Sequence, residues 1–184
     1  MLECRYTHWA QLCPVLPGHM LELIPPTIRY GDSFPKQMRR KVAHGLHPIG
    51  DNAIGDLCDQ ITRWQELAQE LENSRYEYWL VHDNEYIGTF QLRRKESGVS
   101  TEMASHVYWE IDSEDHRDSA TLNALFELGI ARAKGKKFSS LTFVVSEADT
   151  VRTEILESHG GIRVADIVSP IDGARHAKYR LDLA

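Results

Sequence analysis

Between Tyr76 and Ser146 the chain places three strands in a row and then a helix bracketed by strands, an order that few architectures accommodate. The segments "YEYWLVHD" and "YIGTFQLRRK" meet at Asp83, Asn84 and Glu85, a short polar turn of hairpin type. "HVYWEI" follows, with Val107, Trp109 and Ile111 on one face and His106, Tyr108 and Glu110 on the other. Leu122, Leu125, Phe126, Ile130 and Ala133 then recur at helical spacing up to a stop at Gly135. The unbroken apolar run of "FSSLTFVVS" predicts a strand buried on both faces, as at the centre of a mixed sheet. Consecutive antiparallel strands followed by strand, helix and strand predict a mixed sheet covered by helices.

The flanks extend the same pattern. Met20 to Ile24 reads as a short strand ended by Pro25 and Pro26, which cannot serve a sheet interior. Asp32 or Ser33 caps a helix with Pro35 in its first turn, Phe34, Met38 and Val42 on one side and Gly45 as its stop. Ile54, Leu57, Ile61, Trp64, Leu67 and Leu71 mark a second amphipathic helix, with Asp51 or Asn52 as its N-cap. Beyond "FSSLTFVVS", a helix from about Ala148 to His159 stops at Gly160 and Gly161, and strands over 162–168 and 174–183 close the chain around "SPIDG". The expectation is an α/β fold in the broad sense, strictly α+β. It has a mixed, mostly antiparallel central sheet of about seven strands and about four helices. Met20 begins the domain, and residues 1–19 form an N-terminal extension.

Charge and composition narrow the function. A formal net charge of −6 supplies no basic face to neutralise phosphates, so no nucleic-acid partner is expected. The densest positive run, "KQMRRK", reads as a solvated helix face. No apolar run approaches the roughly 18 to 20 residues of a bilayer span, and the start lacks the pattern of a secretion signal, so no membrane partner is expected. Cys4, Cys13 and Cys58 are an odd number without C-x-x-C spacing, which implies neither a disulfide framework nor a zinc ribbon and fits a cytoplasmic protein. "HGLH" pairs His44 with His47, but Gly45 and Pro48 make it a loop with no further ligand type beside it, so no metal is expected.

Several phrases, together with the element order, resemble the Gcn5-related N-acetyltransferase (GNAT) superfamily, in particular a bacterial group of predicted acetyltransferases. They are "YWLV" at Tyr78, "YIGTFQLR" at Tyr86, "HVYWEI" at His106, "ILESHGG" at Ile155 and the closing "GARHAKYRLDL", and they cover the chain from about Met20 to its end. The resemblance implies acetyl coenzyme A as co-substrate. Its thioester arm would lie against the fourth strand, on the backbone around Tyr108, Trp109, Glu110 and Ile111. Its pyrophosphate would sit on the amides that open the following helix, where orphan N–H groups and the helix dipole favour an anion. The superfamily motif there is Arg or Gln, two residues, Gly, one residue, then Gly or Ala. It falls on His116, Arg117, Asp118, Ser119, Ala120 and Thr121, and every diagnostic position departs from it. Ser119 and Thr121 add bulk, Asp118 adds a negative charge, and Arg117 offers one compensating cation.

The reading of the same loop without a ligand is a helix cap by Asp118 or Ser119, with Asp112, Glu114 and Asp115 complementing the dipole. For the chemistry, an amine must lose a proton and a leaving thiolate must gain one. Glu110 and His106 on the polar strand face are the candidate bases, and the resembled group often carries a histidine at the latter place. The tyrosine and early asparagine that the superfamily carries on the later helix match Leu156 and Asp149 here, which leaves Tyr108 or Tyr179 as substitute proton donors. The resemblance thus implies acetyl transfer to a primary amine of a small molecule or amino-acid-like acceptor. The alternative is a non-catalytic module of the same fold that has lost acetyl-CoA binding. A homodimer through sheet edges or terminal strands is compatible with either.

Overall fold

The structure is a computed structural model that describes residues 20–34, 61–63, 65–66, 75–98 and 100–183. Among the described residues, seven strands form two sheets. The first holds β1 (Glu22–Ile24), β2 (Arg75–His82), β3 (Glu85–Ser97) and β4 (Ser105–Ile111) in the order β1-β2-β3-β4, and the second holds β5 (Ser140–Ser146), β6 (Ile162–Val168) and β7 (Arg175–Asp182) in the order β5-β7-β6. Every ladder is antiparallel. The predicted hairpin forms at Asp83 and Asn84, whose φ values of 47° and 67° match the left-handed pair that a two-residue turn needs. Helix α1 (Ser119–Gly135) carries the chain from β4 to β5, and α2 (Thr150–Ser158) follows β5.

Alternation on the first sheet divides its faces between two apolar clusters. Tyr78, Leu80, Phe90, Leu92, Val107 and Trp109 face the main core, which α1 closes with Leu122, Leu125, Phe126 and Ala133 and α2 with Ile155 and Leu156. Trp79, Val81 and Tyr86 face the opposite way, against Tyr30, Phe34 and Ile61. Helix α1 comes very near β3: a Cβ added to Gly129 would lie 2.2 Å from the Phe90 ring, so only glycine fits at that crossing.

Two sequence expectations change in the fold: the one mixed sheet is two antiparallel sheets, because no ladder joins β4 to β5, and β5 is not covered on both faces. β5 is buried on one face only, with Leu141, Phe143 and Val145 inward and Thr142 and Val144 half-buried, and it pairs with β7 alone. The apolar run came from β-branched residues on a partly covered face, which suit a pleated surface without full burial. Of the two early helices, residues 33–34, 61–63 and 65–66 are helical, and the rest of both, like residues 1–19, lie outside the described residues.

Candidate active site

β4 and β5 stand next to each other through the α1 crossover, yet no ladder joins them; β4 pairs with β3 and β5 with β7. Unpaired strand edges leave backbone groups in need of partners, and side chains supply them at both ends of this seam. At the Ser105 end, the Thr142 N–H donates to His106 Nδ1 at 3.1 Å, and the His106 N–H donates to Thr142 Oγ1 at 3.2 Å. The Thr142 hydroxyl donates to Glu96 Oε1 at 2.8 Å, and Lys178 Nζ donates to Glu96 Oε2 at 2.8 Å. Four strands therefore converge there. Nδ1 also lies 2.8 Å from Thr142 Oγ1: with the ring proton on Nε2 it accepts the Thr142 N–H, and with the proton on Nδ1 it donates to that hydroxyl oxygen. Burial holds this imidazole below the ordinary histidine value, with Glu96 opposing and Lys178 reinforcing the shift.

At the Ile111 end the join is ionic. Arg152, in the first turn of α2, donates through Nη2 to the Trp109 carbonyl at 3.2 Å and to Glu110 Oε2 at 2.9 Å. Its Nη1 meets Asp149 Oδ2, and its Cζ lies 5.4 Å from the centroid of the Trp109 ring. Asp149, the matched position of the early asparagine, caps α2 by accepting the Arg152 N–H at 3.0 Å. The predicted residues Glu110, Trp109 and Asp149 are thus brought together. Glu110 reaches solvent at the seam's mouth, and among the described residues only its Oε2 is engaged. Trp109 and Ile111 turn their side chains into the core, so what they offer the cleft is backbone.

Tyr108, 40% exposed on the same face as Glu110, has its phenol pushed well above the ordinary tyrosine value by desolvation and then by Glu110 and Asp112. It is therefore a protonated hydroxyl at neutral pH, able to donate. Tyr179 has its hydroxyl committed to Glu157 Oε1 at 3.0 Å. Leu156 is wholly buried in the main core.

The predicted anion loop leads from this mouth into α1. Asp112 is buried, takes the Tyr86 hydroxyl on Oδ2 and donates its N–H to the Ile87 carbonyl at 2.8 Å, which fixes where the loop begins. His116 bonds Ser113 Oγ through Nδ1 at 3.0 Å and meets His82 Nδ1 through Nε2 at 3.2 Å. Arg117 reaches back to the Ile111 carbonyl at 3.4 Å. Asp118 is the N-cap: its carboxylate accepts the Thr121 N–H at 2.9 Å and the Thr121 hydroxyl at 2.7 Å, and both bonds hold it below the ordinary aspartate value. Ser119 and Ala120 are exposed on the first turn. The capping reading and the anion reading therefore meet at the Thr121 amide, which would serve a pyrophosphate and already serves Asp118.

Sequence reasoning missed three groups. Arg152 is one, and its signal was a cation in the first turn of a helix, against the dipole. The Glu96 and Lys178 pair at the closed end is another. The third is a polar row on the Glu110 face of the first sheet. There the buried Glu77 accepts from Thr89, from Arg75 at 3.3 Å and from Gln91 at 3.3 Å, and burial raises its carboxyl above the usual range while those partners oppose the shift. Register places Glu77 opposite Gln91 and Gln91 opposite Tyr108, so the row runs towards the seam. Only the folded register aligns these residues.

No family model and no curated protein matches the sequence. Solved structures do. A protein from Bordetella pertussis assigned provisionally to the GnaT-family acetyltransferases aligns with a TM-score of 0.60 at 17% identity, over 91% of this chain and 99% of that one. A point mutant of the spermidine N-acetyltransferase from Vibrio cholerae aligns with a TM-score of 0.61 at 10% identity, over 89% of this chain and 94% of that one. The microcin C7 self-immunity acetyltransferase, in complex with acetyl-CoA and AMP, aligns with a TM-score of 0.63 at 8% identity, over 88% and 92%. With its helix-spanned, unladdered seam between β4 and β5, this chain has the fold of the Gcn5-related N-acetyltransferases.

Proposed function

We propose that the chain is an N-acetyltransferase that moves an acetyl group from acetyl-CoA to a primary amine of a small molecule or amino-acid-like acceptor. The observation that carries this reading is the seam, where a backbone edge of β4 that has no strand partner among the described residues ends beside the carboxylate of Glu110. An unladdered strand edge can pair with an extended ligand arm, as peptides do when they add to a sheet. The backbone from Tyr108 to Ile111 would hold that arm, and the loop and first turn of α1, from His116 to Thr121, would hold the pyrophosphate. The fit is partial at the second place, where Asp118 holds the Thr121 amide.

Bound acetyl-CoA supplies a thioester carbonyl: the amine nitrogen forms the new C–N bond, the C–S bond breaks, and coenzyme A leaves as the thiol. Glu110 takes the proton that the substrate ammonium must lose before its nitrogen can attack, directly or through water, using the carboxylate oxygen that Arg152 does not hold. His106 is the weaker alternative as base, since its Nδ1 lone pair is committed to the Thr142 amide. The Tyr108 hydroxyl, kept protonated by its surroundings, can donate towards the departing sulfur.

A second reading has its own support. The Asp118 carboxylate on the α1 amides and the Arg152 guanidinium on the Trp109 carbonyl are what a fold retained without its co-substrate would carry. Such a chain would be a binding module. Isothermal titration of the full chain with acetyl-CoA and with coenzyme A separates the two, repeated on Ser119→Glu, which adds charge to the α1 first turn. Micromolar binding that Ser119→Glu abolishes supports the enzyme and directs a screen of primary amines for thiol release. No heat and no thermal shift at millimolar ligand leaves the binding module.

A further inference from the structure

Arg152 occupies the place on β4 that a co-substrate arm would need. Its guanidinium covers the Trp109 ring, donates to the Trp109 carbonyl and holds Glu110, on the side of β4 that has no strand partner among the described residues. It stands in the first turn of α2, where the helix dipole disfavours a cation, and two carboxylates counter that penalty. Such a residue adds little to the helix itself. The side chain is 19% exposed and Glu110 is 28% exposed, so the pair already borders solvent on the side towards which it would open.

We propose that Arg152 is a gate on the acyl-donor cleft. In the free chain it holds the Trp109 carbonyl and the Glu110 carboxylate, and an acyl-CoA arm reaches β4 only when the guanidinium turns out towards solvent. The inference rests on the acetyltransferase reading. Asp149 gives the gate its pivot, because it is the N-cap of the same helix and stays within reach of Arg152 when the contacts to β4 are lost. Opening also frees the second oxygen of Glu110, so entry of the donor leaves both carboxylate oxygens open to the acceptor amine. The apparent dissociation constant is the intrinsic one divided by the open fraction, so a gate open about a tenth of the time weakens binding about tenfold.

The test is titration of the full chain with acetyl-CoA and coenzyme A in three forms: wild type, Arg152→Gln and Glu110→Gln. Removing the guanidinium, or the carboxylate that holds it, is expected to tighten binding about tenfold. Tryptophan fluorescence of the wild type should also shift on binding, as the cation leaves the Trp109 indole, and the shift should be absent in Arg152→Gln. Heat in the wild type with unchanged or weaker affinity in the variants overturns the gate and leaves the acetyltransferase reading standing. Should Arg152→Gln fail to fold, Glu110→Gln reads the same equilibrium from the other side of the ion pair. Silence in all three forms overturns the acetyltransferase reading and the gate with it.

Discussion

At the Ser105 end of the β4–β5 seam a neutral imidazole accepts a backbone N–H from the neighbouring strand, whereas at the Ile111 end a guanidinium reaches in from a helix and is held by carboxylates. Both joins replace a missing ladder, but they differ in what it takes to undo them. The closed end satisfies a backbone donor that has no other partner, and opening it leaves that donor orphaned, a cost of about 1 to 3 kcal/mol. Opening the ionic end keeps the Asp149 pair, and the Trp109 carbonyl that it releases can be met by solvent or by a ligand arm, which makes it the cheaper of the two to undo. A wedge with a fixed apex and an exchangeable mouth is what a cleft for an extended ligand requires. On the acetyltransferase proposal, binding and chemistry would fall to Glu110 and its neighbours, and support to His106.

The sharpest way to break that assignment is to compare activity losses. Glu110→Gln keeps the size of the side chain and removes the base, so acetyl transfer to an accepted amine should fall by about 100-fold or more, with urea unfolding little changed. A larger loss in His106→Gln than in Glu110→Gln would reverse the two ends. The next effect is on stability and touches both ends alike. Gly129→Ala drives a Cβ into the Phe90 ring, separates α1 from β3 and should cost about 1 to 3 kcal/mol by overpacking, read as a lower denaturant midpoint.

His106→Ala acts at the apex alone. It leaves the Thr142 N–H without its acceptor and should lose about 1 to 2 kcal/mol, while His106→Gln, whose amide oxygen can accept the same bond, should lose less. The pH dependence separates them further. Burial lowers the folded-state value of this imidazole, with Glu96 and Lys178 the charged groups that face it, so the unfolded chain binds the proton more readily. Its contribution is complete above the ordinary value near 6.5 and is lost as pH falls from there through the lower folded value. The wild-type midpoint should therefore drop between about pH 7 and pH 5 by more than that of His106→Gln. Equal slopes would show that the histidine does not titrate with folding.

Much of this contrast was invisible before folding, for a physical reason. Strand alternation in Val107, Trp109 and Ile111 and the helical spacing from Leu122 to Ala133 are local patterns, and the elements fall where those patterns put them. Glu110 was legible as a titratable group on a polar strand face. Joins such as His106 to Thr142, 36 residues apart, or Arg152 to Glu110, 42 residues apart, depend on which strands the crossover makes neighbours, and no local pattern carries that. The same limit applies to β5: a run of β-branched residues looks alike whether one face or two will be covered.

The smallest effect tests whether the mouth extends to the start of α1. Asp118 caps that helix with bonds from the Thr121 N–H and hydroxyl, so Asp118→Ala should cost about 1 kcal/mol. Those bonds lower its carboxyl, so its share of stability is present above the ordinary aspartate value near 3.9 and fades as pH falls through the folded value. Asp118→Asn retains a capping oxygen and removes the charge. It should keep nearly all the stability at neutral pH and lose the acid-limb dependence. If the α1 amides receive a pyrophosphate, Asp118→Asn should also bind acetyl-CoA several-fold tighter, because at a few ångströms a carboxylate repels a phosphate charge by about 1 to 4 kcal/mol in partly wet surroundings. Unchanged stability with unchanged affinity would confine the exchangeable end of the seam to Arg152, Glu110 and Asp149, and would make Asp118 a cap and nothing more.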